Sequence, residues 1–138
     1  MQRFLSGLIA MLPVLFPAAA EPTYSFRHLD ISEGLSSNTV RTLLQDRNDL
    51  IWIGTADGLD SFDGREIIHH ELPTTGVNYV NCLWEDAAHV LWAGTDEALY
   101  YYRGTGMQRV KEAPEASYTC IAEDADGARC IPSYACTP

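Results

Sequence analysis

Two stretches of this chain are copies of one another. Val40, Asp46, Trp52, Gly54, Thr55, Leu59 and Gly64 return 40 residues later as Val80, Asp86, Trp92, Gly94, Thr95, Leu99 and Gly104, in one register without gaps. Apolar character persists where identity does not: Ile51 meets Leu91, Ile53 meets Ala93 and Phe62 meets Tyr102. A unit this short cannot bury an apolar face alone, so the repeat restricts the fold to an array in which each unit packs on the next.

Within a unit the pattern is one of short strands between turns. Thr39 to Gln45 reads as a strand, Asp46 to Asp49 as a turn, and Leu50 to Thr55 as an apolar strand. Asp57-Gly58 is a turn, Leu59 to Phe62 a strand, Asp63-Gly64 a turn, and Glu66 to Leu72 closes the unit. Asp-Gly suits such places because both residues tolerate positive φ. Connections this short leave no room for helices, and the unit is a four-stranded antiparallel meander. Trp52 and Trp92 each bring a large ring mid-strand to bury against the neighbouring sheet, while Gly54 and Gly94 let an adjacent backbone or ring come close. Trp52, Gly54, Thr55, Gly58 and Leu59, with Trp92, Gly94, Thr95 and Leu99, are therefore read as structural repeat positions. Four strands in forty residues is the period of a β-propeller blade.

The copies diverge. Glu97-Ala98 replaces the Asp-Gly of the first unit, which predicts a weaker turn there. A third unit opens with Ser117-Tyr118-Thr119-Cys120-Ile121 and then Glu123-Asp124, matching Glu85-Asp86 at a spacing of 38. Where Val90 to Thr95 should recur, the chain reads Ala128-Arg129-Cys130-Ile131-Pro132-Ser133. That sets Arg129 in the Leu place and Pro132 in the Gly place, and Pro132 lacks the N–H a central strand needs. The expected fold class is all-β, an incomplete β-propeller of about two and a half four-stranded blades. Its lead-in segment is 21–38, its blade repeats 39–78 and 79–116, and its partial, off-pattern repeat 117–138. A closed ring takes at least four blades, about 160 residues at this period. The chain is thus expected to be the beginning of a larger ring, its tail out of frame or marking an interrupted gene.

The N-terminus carries an export pattern. Met1-Gln2-Arg3 is positive, Phe4 to Phe16 is apolar apart from Ser6, Gly7 and Pro13, and Ala18-Ala19-Ala20 is the small-x-small sequence of a cleavage site. Residues 1–20 are expected to be a signal peptide rather than an anchor, since Pro13 interrupts an apolar stretch at the lower limit for spanning a bilayer. No later apolar run could span one, and the protein is expected to be exported, periplasmic or extracellular. A net charge of −10 removes the basic footprint that nucleic acid or an anionic membrane surface requires. Export permits disulfides, and four cysteines allow three pairings that sequence leaves open. Cys82 and Cys120 occupy matching strand places and read as small buried apolar residues, whereas Cys130 and Cys136 fall in the anomalous tail.

Candidate chemistry is sparse. Asp57, Asp60 and Asp63 recur every three residues but lack a calcium-loop spacing, and Asp57 and Asp63 are explained as turn residues. Asp124-x-Asp126-Gly127 is a fragment of the same kind without continuation. His69 and His70, adjacent on a strand, face opposite sides and read as a solvated or edge-strand pair. Ser36, Ser37 and His28 supply a nucleophile and a base on paper, yet no G-x-S-x-G elbow exists. Gly104-Thr105-Gly106 is not a phosphate loop. No catalytic residue, metal site or cofactor is assigned. Aromatic faces suit sugars and other partly apolar rings. Tyr101, alternating with a core-facing Tyr102, and Trp84 are the candidate ligand-binding residues.

The segments Gly34-Leu35-Ser36-Ser37-Asn38, Gln45-Asp46, Ile51 to Leu59 (IWIGTADGL) and Phe62-Asp63-Gly64 resemble the two-component regulator propeller family, over about Tyr24 to Arg109. The resemblance implies the periplasmic sensor of a larger membrane protein whose cytoplasmic part is a histidine kinase, often a hybrid, or a diguanylate cyclase. It implies a small-molecule or glycan ligand and signal transduction without catalysis in the propeller itself. Two other readings remain: a propeller lyase-type enzyme fragment, and a free-standing secreted binding module that closes a ring as a dimer or higher oligomer.

Overall fold

A computed structural model describes residues 25–74, 76, 79–124 and 127–132. The export pattern at 1–20 and Cys136 lie outside the described residues, as does Asp126. Strands β1 (Val40–Gln45), β2 (Ile51–Thr55), β3 (Gly58–Phe62) and β4 (Ile67–His70) form one antiparallel sheet in chain order. Strands β5 (Val80–Glu85), β6 (Leu91–Thr95), β7 (Leu99–Tyr102) and β8 (Met107–Arg109) form a second of the same topology. Strands β9 (Tyr118–Asp124) and β10 (Gly127–Pro132) pair as the start of a third. The innermost strands β1, β5 and β9 stand side by side, which is the arrangement of an incomplete β-propeller.

Residues directly opposite one another in a sheet share a face, and the register therefore assigns each side chain to a seam. In the first sheet Leu44, Trp52 and Ser61 lie in one row, and Thr42, Gly54 and Leu59 in the next. This face meets the second sheet in a core containing Trp52, Leu59, Leu72, Val80, Leu91, Ala93, Tyr100 and Met107. The opposite face of the second sheet, with Cys82 and Leu99, meets Tyr118 and Ile121 of β9 in a second core. Trp52, Leu59 and Tyr100 are almost wholly buried, so the seams between sheets, not the sheets themselves, hold most of the apolar surface removed from water.

Each inner strand carries one extra residue at its start. The register shifts between Val40 and Thr42 and again between Val80 and Cys82, which leaves Arg41 and Asn81 without an opposite partner. The shift recurs in the third unit, where Pro132 pairs with Tyr118 and Ile131 with Cys120. The off-pattern tail thus forms a strand after all, and Pro132 stands at its last position, where a missing N–H costs least. Register also moves the correspondence by one residue: Arg129 takes the place of Trp92, Ile131 that of Gly94 and Pro132 that of Thr95.

One other expectation is corrected. Cys82 is buried because Tyr118 of β9 covers it, but Cys120 is exposed, because no sheet among the described residues covers the corresponding face of β9. The turn at Glu97-Ala98 closes without Asp-Gly, on the same threonine hydrogen bonds as the first. Thr55 Oγ1 donates to Gly58 O at 3.0 Å and accepts from the Asp57 N–H at 3.1 Å. Thr95 Oγ1 likewise donates to Ala98 O at 2.9 Å and accepts from the N–H groups of Glu97 and Ala98 at 3.3 and 3.0 Å. The buried threonine closes both turns, and the identity of the next residues matters less.

Candidate functional site

Asp46 organises the turn that follows β1. Its Oδ1 accepts from the N–H groups of Asn48 and Leu50 at 2.8 and 3.0 Å, and its Oδ2 from the Trp52 indole at 3.0 Å. Asp86 does the same for Ala88, Val90 and Trp92, at 2.9, 2.9 and 2.8 Å. The turns reach positive φ at Asp49 and His89, both 64°. Burial pushes the Asp86 carboxyl up, but the Trp92 indole, the two backbone N–H groups and the charge of Arg103 outweigh it and hold it below its ordinary value. The recurrence of Asp six residues before Trp was visible in the sequence, and its meaning, an aspartate that fixes the indole, was not read from it.

The rows set by register bring the two sequence-predicted ligand residues together. Trp84 lies opposite Trp92, and Trp92 opposite Tyr101, so one face of the second sheet carries a continuous aromatic row that ends at Gln108. The Trp92 and Tyr101 rings are 5.8 Å apart at 44°. Tyr101 donates its hydroxyl to Gln108 Oε1 at 2.7 Å, and the Arg103 guanidinium sits 5.9 Å from its ring centroid. Trp84 is half-buried, packs toward Cys82, Leu99, Tyr118 and Ile121, and its indole N–H has no acceptor among the described residues. Both ring-bearing ends are half-buried, as is Trp92, whereas its counterpart Trp52 is 2% exposed.

The difference arises from the neighbour. Trp52 is covered by His70, at 4.7 Å between ring centroids, and by Tyr102 of the second sheet, at 5.3 Å. Tyr102 therefore faces the first sheet, as its alternation with Tyr101 implied. Below this seam a cleft of about 410 Å³ is lined by Asn48, Glu85, His89, Leu91 and Tyr102. Its acidic groups are engaged: Glu85 accepts from the Arg47 N–H at 3.0 Å and lies 3.4 Å from His89 Nδ1.

The histidine pair stands on the edge strand β4, as expected, with His69 exposed and His70 half-buried. His70 Nε2 is 2.8 Å from Ser61 Oγ on the seam face, and burial, with the neighbouring His69, pushes its pKa down against the smaller opposing effect of Asp60. On the other face His69 Nδ1 lies 3.0 Å from Asp60 Oδ1 and 2.6 Å from Ser36 Oγ. Ser36 donates its hydroxyl and its N–H to the buried Asp60, at 2.5 and 2.8 Å. One ring nitrogen faces both the hydroxyl and the carboxylate, whereas a catalytic relay divides two ring nitrogens between them. The cluster fastens the segment before β1 onto the first sheet. His28 lies instead beside Asp30, at 3.5 Å, and Ser37 accepts from the Thr39 N–H at 3.2 Å, so the serines and His28 are not assembled. Asp63 caps its own turn, accepting from Arg65 and Glu66 at 2.8 and 2.9 Å, and is separate from buried Asp60.

Residues 34–57 match the sequence model of the two component regulator propeller. No curated protein matches the chain. Among solved structures it is similar to one described as the extracellular domain of a hybrid two component system from B. thetaiotaomicron. The likeness has a TM-score of 0.61 at 21% identity, and it covers 73% of this chain and 15% of that one. At this identity it establishes the fold. The matched segment runs from Gly34 through Asp46 and Trp52 to Asp57, the turn and indole described above. By sequence over those residues, and by fold over 73% of its length, the chain resembles the two component regulator propellers.

Proposed function

We propose that the chain contributes consecutive blades to an extracytoplasmic, ligand-sensing propeller of a larger two-component-type signalling protein, and that it binds rather than catalyses. Its parts are a signal peptide at 1–20, a lead-in at 21–38, blades at 39–78 and 79–116, and an incomplete blade at 117–138. Export to the periplasm or beyond is supported by the positive, apolar and small-residue sequence of the N-terminus. Membership in a longer ring is supported by the blade count, because a closed propeller needs at least four. The output domain, a histidine kinase or cyclase, would lie outside this chain.

The observation that carries the binding role is the aromatic row Trp84, Trp92 and Tyr101, continuous across three strands and half-buried. Tyr101, at the outer end of the row beyond the packed Trp84 and Trp92, offers a face to a partly apolar ring, Gln108 and Arg103 supply polar groups beside it, and a glycan or its breakdown product has the matching chemistry. Titration of neutral and uronic-acid disaccharides against intrinsic tryptophan emission tests this. A saturable shift that Tyr101→Ala abolishes without loss of strand signal is expected. An emission spectrum that no disaccharide moves would remove the binding role from this row. A fusion of residues 1–74 to a reporter active only outside the cytoplasm tests export independently.

A further inference from the structure

Arg41 and Asn81 are the extra residues of their inner strands, and the two seams build different contacts on them. At the second seam Asn81 Nδ2 donates to Asp96 Oδ1 at 2.7 Å, and Ser117 Oγ donates to the same oxygen at 3.1 Å. Asp96 follows the last residue of β6, and Ser117 stands one residue before β9. One carboxylate thus ties an inner strand, a turn and the entry to the next inner strand together.

The first seam keeps these three places and changes every residue in them. Forty residues before Asn81 and Asp96 stand Arg41 and Ala56, and Tyr79 precedes β5 as Ser117 precedes β9. The Arg41 guanidinium lies 5.5 Å from the centre of the Tyr79 ring. Where Asp96 supplies a carboxylate, half-buried Ala56 supplies none, and among the described residues Arg41 forms no ion pair with an acidic side chain. The chain has 19 acidic residues against nine lysines and arginines, so acids able to pair an exposed cation are plentiful, and the repeat itself sets one at this place in the next seam. Stacking on a ring occupies the face of a guanidinium and leaves its N–H edge free, and that edge matches the two oxygens of a carboxylate.

We infer that Arg41 and Tyr79 form a binding site for a carboxylate-bearing small molecule, whose carboxylate takes the place that Asp96 fills at the second seam. Tyr79 is 37% exposed, so its ring holds the guanidinium and leaves surface for the organic part of the ligand. Both residues belong to the seam between two complete sheets, and no further blade is needed to form the site. It is separate from the row of Trp84, Trp92 and Tyr101, which turns toward β9, and it does not rest on the sensing role given to that row.

The side-chain Nε–H signals of the arginines, followed by NMR on the full chain at constant ionic strength, test the site. Sodium glucuronate is the probe and glucose its uncharged counterpart. Glucuronate is expected to move the Arg41 signal saturably while those of Arg47 and Arg65, which are also exposed, stay in place, and glucose is expected to move none of them. Ala56→Asp is expected to shift the Arg41 signal with no ligand present and to weaken glucuronate binding by roughly tenfold or more, because the chain then supplies its own carboxylate. Arg41→Gln, at an exposed position, is expected to abolish the heat of glucuronate binding measured by calorimetry in a Tyr101→Ala background. An Arg41 signal that glucuronate leaves unmoved, equal shifts at Arg41, Arg47 and Arg65, or a binding heat that survives Arg41→Gln would each overturn the site. Undiminished binding by an Ala56→Asp chain that keeps its strand circular dichroism would do so too, and tighter binding of inorganic phosphate than of glucuronate would overturn the carboxylate as its ligand. The aromatic row is read by tryptophan emission and this site by the Arg41 signal, so either reading can fail without the other.

Discussion

The indole N–H of Trp92 ends on Asp86 Oδ2 at 2.8 Å, and the other oxygen of the same carboxylate closes the turn between β5 and β6 through Ala88 and Val90. One side chain thus sets both a turn and the orientation of the ring that faces the next sheet. Asp86→Ala removes three hydrogen bonds and is expected to destabilise the protein by about 2–3 kcal/mol. Asp86→Asn keeps an acceptor and should cost about half as much. Chemical denaturation of the two variants checks the order, which a merely surface role for Asp86 would not produce.

Thr95 should matter more than the residues it precedes. Its buried hydroxyl makes three bonds inside the turn, so Thr95→Val leaves the N–H groups of Glu97 and Ala98 short of an acceptor. A loss of about 1–3 kcal/mol is expected, while replacing Glu97-Ala98 by Asp-Gly should change stability by under about 0.5 kcal/mol. Thermal unfolding of the pair of variants distinguishes a threonine-closed turn from one that depends on Asp-Gly.

Acid should loosen the first seam through His70. Its folded pKa lies below the ordinary 6.5, chiefly through burial, so the unfolded chain takes up a proton before the folded one does. Stability contributed by the neutral ring is present above pH 6.5 and is lost as pH falls through the folded pKa. His70→Gln should remove this dependence between neutrality and that pKa, and Asp86, also lowered, adds its own loss only below pH 3.8. Denaturation midpoints measured across this range, wild type against His70→Gln, provide the check.

The repeat made the sheets legible because a period of 40 residues with Trp, Gly and Thr in fixed places admits one strand order. Alternation likewise placed Tyr101 and Tyr102 on opposite faces. What the pattern hid were relations across sheets and between distant segments. Ser36 and Asp60 are 24 residues apart, and nothing local marks them as partners. Glu123 pairs with Ala128 five residues on, whereas Glu85 pairs with Leu91 six residues on, and this shorter connection is why Pro132, and not Ser133, falls in the threonine place. Trp84 and Tyr101 each looked like an isolated aromatic, and only the register through Trp92 joins them.

That the two sheets pack as successive blades is tested most directly by a double-mutant cycle between Trp52 and Tyr102, whose rings meet at 5.3 Å across the seam. Trp52→Leu and Tyr102→Leu are measured singly and together by equilibrium unfolding. A coupling energy of about 0.5–1.5 kcal/mol is predicted for aromatic rings in contact. Losses that add within about 0.3 kcal/mol would mean that the sheets do not meet at this seam.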